Sequence, residues 1–117
     1  MDRLSGDRFV PERKVTDYLL NASHPTGAAK ARFFEHFGFT TAGPNTLIEA
    51  ISDHPTFNRI VAVQENAFGT KRVVECSFTT PDGRNPCIRT VWMREIGTTV
   101  HRFVTAYPLQ SNRPSER

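Results

Sequence analysis

The 117-residue chain is short of several things. It has no apolar run of the roughly 18 residues that a membrane helix needs, so no membrane partner is expected. Residues Met1 to Arg8 hold no apolar core, which argues against a secretory leader and makes a bacterial cytoplasm the expected location. Cysteine is scarce, with only Cys76 and Cys87. Two cysteines without suitably spaced histidines do not make a zinc site. No phosphate-cradling glycine loop and no nucleophile-triad motif is present. No metal and no cofactor is therefore expected. There is no internal repeat and no low-complexity segment. Neither sign of charge dominates: fifteen Lys and Arg face twelve Asp and Glu, for a net +3. That balance permits a polyanionic partner without demanding one.

What is present fits one core. A hydrophobic content of 38% over this length supports a single domain, expected at 11–108, with irregular tails at 1–10 and 109–117. Pro11, then Val15, Tyr18 and Leu19, predict a short amphipathic helix over 11–20. Thr26 is a plausible N-cap for a second helix at 27–37, closed by Gly38 and striped by Phe33, Phe34 and Phe37. Pro44 opens a third helix with Leu47, Ile48 and Ile51 inward and Pro55 beyond its end. The period then changes. Residues 58–65 read as a mostly buried strand, and 70–79 alternate with Val74, Cys76 and Phe78 on one face. Residues 87–95 and 99–107 complete a meander with short links. The expected fold class is α+β: about three N-terminal helices packed on one face of a four-stranded antiparallel β-meander. Cys76 and Cys87 flank the Pro81-Asp82-Gly83 turn. A disulfide across that hairpin is conceivable, and in a reducing compartment two small buried thiols are the better reading.

The open sheet face is where chemistry is expected. Alternation puts His101, Phe103, Thr105 and Tyr107 on that side of the last strand, and leaves Arg102 anomalously on the core side. On the preceding strand Arg89, Val91 and Met93 form one set and Ile88, Thr90 and Trp92 the other. Both sets contain apolar residues, so periodicity does not say which is inside. Arg89 is suited to clamp phosphate oxygens with its planar fork, or to pair with Glu75. His24 precedes a helix start and can titrate near neutrality, and Lys30 one turn in adds a full positive charge.

Four motifs occur in order: His24-Pro25-x-Gly27-x-x-Lys30-Ala31-x-Phe33-Phe34, Thr80-Pro81-Asp82-Gly83-Arg84-Asn85-Pro86, Arg89-Thr90-Val91-Trp92 and Val104-Thr105-Ala106-Tyr107-Pro108. Together they resemble an uncharacterised bacterial family of small domain-of-unknown-function proteins. More distantly, the order of elements is similar to that of the barnase/EndoU/colicin/RelE-like ribonuclease toxins. That resemblance implies a metal-independent endoribonuclease, a toxin held in check by a small antitoxin- or immunity-like protein, with RNA as substrate. Its expected catalytic residues are His24 as base or acid, Lys30 and Arg89 as charge stabilisers, Thr105 as a phosphate contact, and Tyr107 as proton donor or base-stacking ring. Arg84 and Trp92 are expected substrate contacts, and so is His101, which lies outside these motifs and is placed on the open face by strand alternation alone. The alternative is a non-catalytic binding module, antitoxin- or immunity-like, that uses Trp92, Phe103 and Tyr107 as aromatic anchors.

Overall fold

The computed structural model of the chain describes residues 3–21, 23 and 28–109. It is an α+β arrangement of three helices and a five-stranded mixed sheet. β1 (Arg8–Phe9) leads into α1 (Glu12–Lys14), which widens without a break into a π-helical segment, Val15–Leu19. Then come α2 (Ala28–His36) and α3 (Pro44–Phe57). The strands β2 (Ile60–Asn66), β3 (Gly69–Ser77), β4 (Cys87–Glu95) and β5 (His101–Pro108) follow. The spatial order is β1-β5-β4-β3-β2. β2 to β5 form the expected antiparallel meander. The expected four strands become five because β1, in the segment read as an irregular lead-in, pairs parallel with β5 through Arg8↔His101 and Phe9↔Arg102.

One core cluster takes one face of the sheet. Val74, Ile88, Trp92, Phe103 and Ala106 meet Val15, Leu19, Phe34, Leu47 and Ile51 from the helices, all nearly inaccessible. Helix α3 supplies Leu47, Ala50, Ile51 and His54 at helical spacing, so its inner stripe is continuous. Pro55, expected beyond the helix, lies inside it and is buried, and α3 runs two residues further. His54 and Pro55 of this last turn are buried while Thr56 and Phe57 are exposed, so the helix keeps its inner side in the core despite the one backbone bond that proline removes. Helix α2 ends in a glycine-capped turn: Phe39 N–H donates to Phe34 O at 3.1 Å and Gly38 N–H to Glu35 O at 3.0 Å. Gly38 takes φ +105°, and a Cβ there would lie 3.0 Å from Pro81 Cβ, so both backbone and packing favour glycine.

Two further expectations are corrected. β2 is not mostly buried. Only Ile60 is inside, and Val61 and Val63 are about half exposed, because β2 is the outer strand of the sheet. Cys76 and Cys87 are not two buried thiols. They form a disulfide, and Cys76 is exposed at φ 113°. Ser77 pairs with Cys87 and Cys76 with Ile88, so the two cysteines sit one step apart across the ladder.

A polar chain runs through the core beside that disulfide. His54 Nε2 lies 2.6 Å from Cys76 O, which can only accept, so Nε2 carries the proton. Nδ1 must then accept from the Thr90 hydroxyl at 2.9 Å, and the Thr90 oxygen accepts from Trp92 Nε1–H at 2.9 Å. This order requires neutral His54, and burial holds its pKa below the usual histidine value.

Candidate functional site

The face of the sheet away from the core carries Glu75 from β3, Arg89 from β4 and Tyr107 from β5, directly opposite one another across three strands. Register explains why they touch: cross-strand partners stand about 5 Å apart. Arg89 Nε donates to Glu75 Oε2 at 2.6 Å, and its Nη1 donates to the Tyr107 hydroxyl at 3.2 Å. Arg89 and Glu75 are also an ion pair. The Tyr107 and then the Glu75 hydrogen bond hold the guanidinium firmly protonated.

A second cation comes from the helical layer. β1 pairs only with the first two residues of β5, so the rest of that strand is an unpaired edge. Lys14 Nζ donates to Val104 O at this edge, at 2.8 Å. Lys30 Nζ, from α2, donates to Thr105 Oγ1 at 3.0 Å. The same ammonium stands 5.4 Å from the Tyr107 ring centre and 5.1 Å from that of Tyr18. Thr105 also lines a cavity of ≈ 550 Å³ with Arg13, Lys14, Asp17, Tyr18 and Val104.

The donor directions follow from chemistry. Lysine and arginine can only donate, so the oxygens of Thr105 and Tyr107 accept from them. Each hydroxyl therefore keeps its own proton for a further acceptor. Lys30 with Thr105 and Arg89 with Tyr107 form a quartet of two cation–hydroxyl pairs, with the Glu75 carboxylate held by the same Arg89.

The other expected site residues lie elsewhere. Trp92 is fully buried on the core face, in the hydrogen-bonded chain described above. His101 is 5% exposed and also faces the core side. The reason is a bulge: Val91 pairs with Thr105 but Trp92 pairs with Phe103, so β5 carries one extra residue at Val104. One extra residue reverses which face each side chain takes. Phe103 and His101 thus turn inward while Thr105 and Tyr107 stay outward. Arg102, anomalous in a regular strand, turns outward and pairs with Glu95 at 3.3 Å. With Trp92 and Phe103 both in the core, the aromatic patch expected of a binding module does not form on this face.

Arg84 stays in its turn. It meets Asp82 Oδ2 at 2.5 Å, donates to His36 O at 2.8 Å, and lies 4.2 Å from the Phe37 ring centre. Thr80, Asp82 and Asn85 bond within the same turn, so this motif is accounted for by local structure. His24 lies outside the described residues. Sequence reasoning gave Tyr18 no role at the site. Its helical spacing marks it as a core residue, and only its distance from Lys30 draws it in.

No helix among the described residues is long and apolar enough to cross a membrane. No curated protein matches the sequence. Among solved structures, the fold is similar to a chain of a contact-dependent growth inhibition toxin–immunity protein complex from Klebsiella pneumoniae 342. The TM-score is 0.67 at 19% identity, covering 86% of this chain and 98% of that one. Residues 6–110 match a domain of unknown function, DUF6883, and the chain belongs to that family.

Proposed function

We propose that this domain is a metal-independent endoribonuclease of the toxin type, restrained by a small immunity-like protein. The observation that carries the reading is the quartet: Lys30 donates to the Thr105 hydroxyl, and Arg89, also paired with Glu75, donates to the Tyr107 hydroxyl. The likeness to a chain of a toxin–immunity complex supports a toxin or an immunity-like role. The quartet favours the toxin, because a binding-only protein has no need of such an arrangement.

RNA carries its own nucleophile. The 2′-oxygen attacks the adjacent phosphorus, the bond to the 5′-oxygen breaks, and the products are a 2′,3′-cyclic phosphate and a 5′-hydroxyl. One proton leaves the 2′-hydroxyl and one reaches the departing oxygen. His24 is assigned the first transfer as base. Tyr107 supplies the second, with Arg89 stabilising the phenolate that forms. Lys30 and Arg89 neutralise the phosphorane, and Thr105 donates to a non-bridging oxygen. The hollow beside Thr105 gives room for a neighbouring nucleotide.

The test is incubation of the purified protein with total RNA in EDTA, beside Lys30→Ala and Arg89→Ala. Discrete fragments ending in cyclic phosphate are expected, with rates down about 10²–10³-fold in each variant, as for one lost charge-stabilising group. Intact RNA, together with normal growth of cells expressing the protein, would sink the reading.

A further inference from the structure

A second group of cations lies on the opposite face of the sheet, beyond the helices. Arg72 pairs across the ladder with Trp92, and Arg94 lies two residues further along β4, so both project on the core side. The N-terminal segment closes over them. Arg8 ties it to α3 by donating to Ser52 O and Thr56 Oγ1, each at 2.6 Å, and holds Leu4 O at 3.0 Å. Leu4 is buried, and Asp7 O accepts from His101 N–H at 2.8 Å. Between this segment and the sheet is a cavity of ≈ 360 Å³. Arg3 and Ser5 of the segment, Arg72, Arg94 and His101 of the sheet, and Thr99 of the β4–β5 link line it.

The lining contains no carboxylate. Among the described residues no ion pair involves Arg3, Arg72 or Arg94. Arg72 Nη1 and His101 Nδ1 are both out of contact with solvent and have no hydrogen-bond partner there. A buried guanidinium nitrogen without a partner costs far more than one with an anion. Burial, and then the like charges of Arg72 and Arg94, hold His101 below the usual histidine pKa, with the Ser5 backbone opposing. The charged side chains that line the cavity are therefore all cationic.

We propose that this cavity binds an oxyanion of the phosphate class, seated on the fork of Arg72 and on Arg94, with the Ser5 and Thr99 hydroxyls as further donors. The shared chemistry is a tetrahedral dianion. Its source is free phosphate or the phosphate of a mononucleotide. The site is separate from the quartet and does not depend on the ribonuclease reading.

The experiment titrates the full chain calorimetrically with inorganic phosphate, with chloride at matched ionic strength as control. His101 ring resonances are followed by NMR in the same titration. Saturable binding is expected in the wild-type chain and in Lys30→Ala, with His101 resonances moving. Arg72→Gln and Arg94→Gln should each weaken it on the order of tenfold or more, as for one lost charged hydrogen bond. The NMR arm needs no variant, so a substitution that unfolds the chain leaves the test intact. AMP in place of phosphate identifies the source: tighter binding indicates a mononucleotide, weaker binding the free ion. Binding no better than chloride, unmoved His101 resonances, unchanged affinity in folded Arg94→Gln, or loss of binding in Lys30→Ala would each overturn the proposal.

Discussion

Two sets of cations stand on opposite faces of one sheet, and their surroundings differ. On the outward face Lys30 and Arg89 each have a hydroxyl partner, and Arg89 a carboxylate as well. Their geometry is fixed in advance, which suits a group that must stabilise charge at the moment it develops. On the inward face Arg72 has a buried nitrogen without a partner and no ion pair among the described residues. That arrangement suits a resident ion, whose binding makes up the missing contacts. The contrast shows that positive charge alone does not define a site here; what each charge is bonded to does.

The largest effect should separate the faces outright. Trp92→Ala empties a fully buried position on the core face, and should lower unfolding free energy by about 3–5 kcal/mol in denaturant titrations. The residual folded fraction should keep its RNA cleavage rate per folded molecule. A specific-activity loss greater than the folded fraction explains would mean that the faces are coupled through β4. Next comes Thr105→Val, which keeps the shape and deletes the hydroxyl. It should slow cleavage about 10–100-fold, as for a hydrogen bond to a charged group, with the melting temperature nearly unchanged. An equal fall in stability would make the Lys30–Thr105 contact structural.

Acid should probe the inward face. His54 and His101 both titrate below the ordinary value of 6.5 in the folded chain. As pH falls, the unfolded chain takes up protons first. This contribution to stability is therefore complete above about 6.5 and declines below it. Thermal melts between about pH 7.5 and 5 should show the decline. In His54→Gln the part that persists reports the cavity. A flat profile in both proteins would contradict the burial of both rings. The smallest effect is expected from Arg84→Ala, which touches neither cluster. It should leave cleavage unchanged and barely move the melt.

Much of this was legible in the residues, and the failures have definite causes. The Leu47–Ile51 spacing and the alternation of β3 reveal their elements because each buries one face over several turns or pairs. A two-residue parallel strand such as β1 leaves no period to read, and its pairing is far from local. The sides of Arg89 and Trp92 could not be chosen because both sets on β4 contain apolar residues. The grouping of Lys30 with Thr105 depends on an unpaired edge, which only the sheet order reveals. Arg72 and Arg94 look like ordinary strand charges until the N-terminal segment is seen to cover them. The cysteines read correctly as neighbours, but their spacing says nothing of their oxidation state.

The added residue at Val104 divides one strand into two territories. Before it, the odd-numbered residues His101 and Phe103 face the core; after it, the odd-numbered Thr105 and Tyr107 face outward and Ala106 takes the core side. Thr105 and Tyr107 are thereby free to change on the outer face while Phe103 and Ala106 of the same strand keep the core packed. Removing that single residue would erase the boundary and send both hydroxyls into the hydrophobic interior.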